Sequence, residues 1–114
     1  MKYTLNIGLA RKGSSYLDVV EVIRALQDAQ LYIGAYALVQ SGTEPTVVVE
    51  VDGPAPAAGY VLAQRLGQDC IAVWHPDTEV GRLIGPHAAA WGEFNPEFFL
   101  LLDGSILSTT VATA

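Results

Sequence analysis

The chain has 114 residues and a formal net charge of −6, with 51% hydrophobic and 16% charged residues. That length suits one domain with a single buried core, and the composition excludes a disordered chain. Apart from Arg11 and Lys12 the basic residues do not cluster, which argues against direct binding to nucleic acid. The single cysteine, Cys70, excludes an internal disulfide and a thiolate-rich zinc site.

No targeting or membrane segment is visible. Residues alternate from Lys2 onward without the pattern of a signal peptide, and the longest apolar run, FFLLL, is far shorter than the ~20 residues of a membrane span. We therefore expect a cytoplasmic protein with no membrane partner. Because few charges are available to cover the surface, we also expect exposed apolar area that a homodimer would bury.

The first elements are a strand and a helix. Residues 2–9, KYTLNIGL, alternate between apolar and polar and predict a half-buried strand. Residues 16–30, YLDVVEVIRALQDAQ, carry an apolar stripe at helical spacing. Ser14 or Ser15 is the expected N-cap, with Asp18 in the first turn, where the helix dipole favours a carboxylate.

A hairpin and a second helix follow. Residues 31–40 (LYIGAYALVQ) and 45–53 (PTVVVEVDG) predict two strands, and the short loop SGTEP at 41–45 suits an antiparallel hairpin. Residues 54–69, PAPAAGYVLAQRLGQD, predict a helix that is entered through prolines and ended by Gly67.

The remaining elements complete an α+β plan. Residues 70–75, CIAVWH, are apolar on both faces and predict a central strand, and RLIG at 82–85 predicts a short fifth strand. The order is that of a ferredoxin-like βαββαβ fold: an antiparallel sheet of four or five strands with two helices on one face. An extra C-terminal segment at 85–102 follows. We expect a single domain over 1–104 and a polar tail prone to fraying over 105–114.

Strand alternation assigns residues to the two sheet faces. The helices should cover Leu5, Ile7, Ile33, Val47, Val49, Ile71 and Val73. The other face should carry Asn6, Tyr32, Tyr36, Glu50, Cys70 and Trp74. Aromatic rings around a buried carboxylate are typical of a ligand floor. The alternative is that residues 85–102 or a second subunit pack over these rings.

The stretch GPHAAAWGEFNPEFF at 85–99 is the richest in aromatic residues. We expect its rings to close the core or an interface, since aromatic side chains dominate such burial, with His87 and Glu93 lining any remaining gap. The candidate ligand or interface residues are therefore Asn6, Tyr32, Tyr36, Glu50, Trp74, His75, His87, Trp91, Glu93 and Phe94.

Three chemical motifs are incomplete. The loop GLARKGSS has the spacing of a phosphate-binding loop but lacks its lysine, so its serines more simply cap a helix. Cys70 begins an apolar strand, where a cysteine usually behaves as a small hydrophobe rather than a nucleophile. The cluster His75, Asp77, Glu79, His87 and Glu93 is too loosely spaced to predict a metal site. We predict neither metal nor cofactor, and no residue is assigned as catalytic.

Four strings, TEPTVVV (43–49), QDCIAVW (68–74), GPHAAAWGEFNPEFF (85–99) and LLDG (101–104), resemble small uncharacterised bacterial proteins of mobile elements such as phages, plasmids and integron gene cassettes. The resemblance covers residues 43–104. It implies no activity, so no catalytic residue is carried over.

Three functions remain open. The first is a small soluble binding or interaction module, acting as a homodimer on a small-molecule or protein ligand, because the chain has excess apolar content and no catalytic cluster. The second is a small hydrolase-like enzyme that uses His75 and His87 with a carboxylate. The third is an acidic decoy that inhibits a basic host protein. Convergence of both histidines with Glu50 and Glu93 in one pocket would favour the enzyme.

Overall fold

A computed structural model describes residues 1–11, 15–41 and 44–107, with Ser41 described for its backbone only. The strands are β1 (Lys2–Gly8), β2 (Tyr32–Ser41), β3 (Glu44–Asp52), β4 (Ile71–His75) and β5 (Val80–Ile84). The helices are α1 (Val19–Asp28) and α2 (Ala55–Leu66), followed by two short 3₁₀ turns at Ala88–Trp91 and Pro96–Phe98. None of the helices in the described residues is long and apolar enough to cross a membrane.

The five strands form one open antiparallel sheet in the order β2-β3-β1-β4-β5. The first four strands have the ferredoxin-like arrangement, and β5 extends it as the second strand of a hairpin with β4. The predicted α+β fold is therefore confirmed. Gly67 follows α2 in the left-handed conformation with φ 67°, as expected of a glycine that ends a helix.

The main core lies between the sheet and the two helices. Leu5 and Ile7 of β1 are fully buried there, as are the β3 valines that pair with them, Val47 and Val49. Contacts place α1 beside β2 and α2 beside β4 and β5. The seven side chains predicted beneath the helices all belong to or pack against this core.

α1 begins later than the sequence suggested. Its N-cap is Asp18, whose carboxylate accepts a hydrogen bond from the amide of Val20 at 3.1 Å. The prediction that Ser15 caps the helix is wrong, because Ser15 precedes the helix by several residues. Ser14, the alternative cap, lies outside the described residues. Tyr16 and Leu17 are not helical, because Tyr16 forms a β-bridge with Ala10 and the Leu17 amide donates to the Leu9 carbonyl.

The edge strand β2 contains a register shift between Ile33 and Tyr36. Ile33 pairs with Val51 and Tyr36 with Val49, so one extra residue lies on β2 between them. Because paired residues share a face, Tyr36 lies on the helix side of the sheet. Its predicted place on the opposite face is therefore wrong, and the bulge is the reason.

The face of the sheet away from the helices carries a second core built by the C-terminal segment. Trp74 stacks on Phe94 with centroids 5.9 Å apart, and Phe99 packs against both rings. Leu107 is buried in the same cluster, and its amide donates to the Phe99 carbonyl. Packing therefore continues past residue 104, where we expected the domain to end. Residues 108–114 of the predicted tail lie outside the described residues.

Candidate functional site

A groove of about 450 Å³ opens on the sheet face away from the helices. It lies between the neighbouring ends of β1 and β3, the turn between α2 and β4, and the C-terminal segment. The residues of its lining that matter below are Asn6, Glu44, Asp69, Cys70, Trp91 and Phe98. The C-terminal segment crosses this face, with Leu100 hydrogen-bonded to Asn6 of β1 and Gly104 close to the Val39 side chain of β2, and the groove lies beside that crossing.

The groove adjoins a smaller hollow of about 240 Å³. The two share four lining residues, Ala72, Leu83, Trp91 and Phe98, and the hollow adds Glu93 and Phe94. We call the groove and the hollow together the aromatic trough. It brings together four of the residues predicted from the sequence, namely Asn6, Trp91, Glu93 and Phe94.

The aromatic residues of the C-terminal segment divide into two groups. Phe94 and Phe99 are buried and close the second core, as expected. Trp91 and Phe98 remain 61% and 80% exposed and stand at the aromatic trough. Each is presented by a 3₁₀ turn, and the Trp91 indole Nε1 donates to Asp69 Oδ2 at 3.0 Å. The stretch thus closes the second core with two of its rings and leaves the other two exposed at the aromatic trough.

Two of the polar side chains at the floor of the groove, Asn6 and Gln68, already form hydrogen bonds within the protein. Asn6 donates to the Leu100 carbonyl at 2.9 Å and accepts from the Leu100 amide at 2.8 Å. Gln68 donates to the Ala10 carbonyl at 3.1 Å, which leaves its side-chain oxygen as an acceptor. The Glu44 carboxylate lies against Gly8, in space that any side chain at that position would fill. The floor therefore offers mainly hydrogen-bond acceptors.

The electrostatic character of the aromatic trough is acidic. Glu44, Asp69 and Glu93 line it, and no lysine or arginine is among its described lining residues. The Arg11 side chain approaches Gly67 at one end of the groove. Partial burial, together with the Asp69 carboxylate, raises the pKa of the Cys70 thiol above its ordinary value. Both effects disfavour the thiolate, so the cysteine is not activated as a nucleophile.

The two histidines do not meet. His75 is the last residue of β4, whereas the His87 amide donates to the carbonyl of Asp69, before the start of that strand. They therefore lie toward opposite ends of β4. His75 Nδ1 accepts a hydrogen bond from the Thr78 amide at 3.1 Å, and its ring lies edge-on to Tyr3 at 4.8 Å. Its Nε2 is buried without a hydrogen-bond partner among the described residues.

The remaining predicted residues are scattered. Tyr32 and Glu50 line a separate hollow of about 230 Å³ at the other end of β2 and β3. Glu50 is exposed, so the expected buried carboxylate is wrong. Trp74 is buried beneath Phe94, and Tyr36 lies on the helix side of the edge strand. Among the described residues, the two histidines therefore do not meet Glu50 and Glu93 in one pocket, which is the arrangement that would have favoured an enzyme.

Two acidic residues of the aromatic trough were missed by the sequence analysis. Glu44 shares its sheet face with Thr46 and Glu50, so alternation along β3 would have found it had the strand been started one residue earlier. Asp69 lies in the turn between α2 and β4, where no periodic signal exists.

The described residues contain no group of three or more His, Cys, Asp or Glu side chains that could hold a metal ion. No protein-family model matches the chain. No curated protein and no solved structure matches it either.

Proposed function

We propose that the protein is a small cytoplasmic binding module whose ligand lies in the aromatic trough and carries a flat apolar group and a positively charged nitrogen. The observation that carries this proposal is the pair of exposed rings, Trp91 and Phe98, at a groove lined by carboxylates. Such a site binds and orients a ligand, and its described lining residues include no nucleophile paired with a base.

The exposed rings of Trp91 and Phe98 can gain burial from a ligand. A tryptophan or phenylalanine can bury about 150–250 Å² of surface, yet both rings remain largely in water. The bond from the Trp91 indole to Asp69 and the turn at Asn95–Phe98 hold the backbone and ring in place before a ligand arrives. A flat apolar group between the rings would recover that burial with little ordering cost.

The carboxylates that line the aromatic trough favour a ligand with a positive charge. A cation near the Glu44 carboxylate would gain Coulomb energy, and an aromatic face adds about 0.5–1 kcal/mol at an exposed site. An anion would be repelled by the same groups. Because the groove is open to water, we expect weak binding, with Kd on the order of 0.1–1 mM.

Three probes of similar shape test the proposal: 2-phenylethylamine, 2-phenylethanol and 3-phenylpropionate. Titration followed by amide and indole NMR shifts should give the tightest binding for the amine and the weakest for the carboxylate. The Trp91 indole signal should move most. Equal binding of the three probes, or shifts that avoid Trp91, would show that the aromatic trough is not a cation site.

Matched variants test which side chains contribute to binding. Trp91→Ala and Phe98→Ala should each weaken amine binding several-fold, and Glu44→Gln should reduce the preference for the amine over the alcohol. Tyr60→Ala and Glu79→Gln, exposed residues outside the aromatic trough, serve as controls and should bind as the wild type does. Retained amine preference in Glu44→Gln would contradict the electrostatic part of the proposal.

The acidic decoy remains a second candidate because of one observation. From Leu83 to Leu107 the chain carries Glu93, Glu97 and Asp103 but no lysine or arginine. A lysine or arginine side chain of a basic protein would offer the same positively charged nitrogen. An oligolysine peptide that binds far more tightly than 2-phenylethylamine, with affinity falling steeply with salt, would favour the decoy.

A further inference from the structure

The edge strand β2 lacks most of the features that normally protect a sheet edge, apart from the bulge between Ile33 and Tyr36. It is ten residues long, YIGAYALVQS, and contains no charged residue and no proline. The opposite edge, β5, has five residues, carries Arg82, and is contacted by the 3₁₀ turn at Ala88–Trp91. Sheets usually blunt their edges with short strands, charges or covering segments, because open backbone groups pair with other chains.

The direction of the backbone groups on β2 follows from one hydrogen bond on β3. The Leu9 amide donates to the Pro45 carbonyl, so the backbone of Pro45 faces β1. Because these groups alternate along an antiparallel strand, those of Thr46 and Val48 face β2, where Val39 and Ala37 are their partners. The intervening residues Tyr36 and Leu38 therefore direct their amide and carbonyl groups away from the sheet.

The side chains of the same two residues are exposed and apolar. Tyr36 pairs with Val49 and Leu38 with Val47, which places both on the helix side of the sheet. Their exposed fractions are 55% and 61%. α1 is the helix beside β2, and its Val20 is 56% exposed. Among the residues that the structure describes, the edge thus combines open hydrogen-bonding groups with uncovered apolar side chains.

We propose that β2 pairs antiparallel with β2 of a second copy of this chain, around a twofold axis at Ala37. In that register Tyr36 exchanges both backbone hydrogen bonds with the partner's Leu38, and the ring of each Tyr36 lies against the partner's Leu38 side chain. Paired Cα atoms on the axis approach to about 4.5 Å, which suits a side chain as small as alanine. The two sheets join into one.

A second copy fits this edge because the strand complements itself. It has no charge to repel its own copy, and it presents donors and acceptors in symmetric positions. One strand alone covers less than the ~800 Å² per partner of a standard interface, so the flanking α1 of each copy must add to the contact. This surface is separate from the aromatic trough, and its test is independent of ligand binding.

The first test is the molar mass of the purified protein by light scattering at tens of micromolar. The wild type should give twice the chain mass of 12.1 kDa. Leu38→Lys should give the monomer, whereas Val61→Lys, an equally exposed position on α2, should remain dimeric. If Leu38→Lys loses its cooperative unfolding transition, Tyr36→Lys replaces it. A monomeric wild type, or a dimer that survives both edge variants, overturns the proposal.

The second test is the register. In a Cys70→Ser background, Ala37→Cys should form a disulfide-linked dimer under mild oxidation, since the two positions face each other across the axis. Val39→Cys is the control, because in this register it lies opposite the partner's Ala35 and far from its own copy. Efficient cross-linking through position 39, or none through position 37, overturns the proposed pairing.

Discussion

Asn6 is a polar residue within an apolar strand, and its side chain explains how the C-terminal segment docks. Its amide group makes both the donor and the acceptor bond to the backbone of Leu100, so it substitutes for one residue of a neighbouring strand. Alternation along β1 correctly predicted its sheet face. Its partner lies 94 residues away, and no local pattern could have indicated that contact.

Asn6→Ala should lower the free energy of unfolding by about 1–3 kcal/mol, because it leaves two partly buried backbone groups without partners. Asn95→Ala is the matched control, since that side chain accepts a single exposed hydrogen bond from the Glu97 amide. Urea denaturation measures both. A loss in Asn6→Ala no larger than that in Asn95→Ala would mean that water replaces the lost bonds at no cost.

The start of α1 shows how a tertiary contact overrides a helical pattern. Apolar spacing extends the predicted helix back to Tyr16, but Tyr16 and Leu17 instead pair with the residues after β1, through the bridge of Ala10 with Tyr16 and the bond from the Leu17 amide to the Leu9 carbonyl. Those bonds satisfy backbone groups that the first helical turn would leave open. Asp18 is the next residue able to cap the helix.

Asp18→Ala should destabilise the protein by about 1 kcal/mol, the usual cost of losing an N-cap side chain. Ser15→Ala tests the cap that the sequence favoured and should be close to neutral, because Ser15 is exposed and lies before the helix. The midpoints of urea unfolding of the two variants measure this difference, provided that the dependence of the unfolding free energy on urea concentration is unchanged. Equal losses in both variants would contradict the cap at Asp18.

The sequence could predict that both faces of the sheet are covered, but it could not predict which residues build the second core. Alternation predicted that helices cover one face, and the aromatic stretch predicted that something covers Trp74. The sequence could not predict which of the phenylalanines would do so, because Phe98 and Phe99 are chemically identical neighbours. Their different exposure depends on the turn at Asn95–Phe98, which aims one ring inward and the other outward.

Phe99→Ala should cost about 3–5 kcal/mol and shift the tryptophan emission to the red, since it opens a cavity beside Trp74. Phe98→Ala, one residue earlier, should change stability by less than about 0.5 kcal/mol because the ring is exposed. Thermal and urea unfolding with tryptophan fluorescence check both. Comparable losses would show that Phe98 packs in solution.

The ribosome makes Trp74 before it makes Phe94, Phe99 and Leu107, which shield it. All five strands therefore precede that shield in the chain, so a chain truncated after Ile84 would carry the whole sheet with Trp74 left bare. Domains begin to fold during synthesis, and exposed apolar surface at that stage is open to chaperones and to aggregation. A chain truncated after Ile84 should consequently aggregate, measured by light scattering, at concentrations at which the full chain stays in solution.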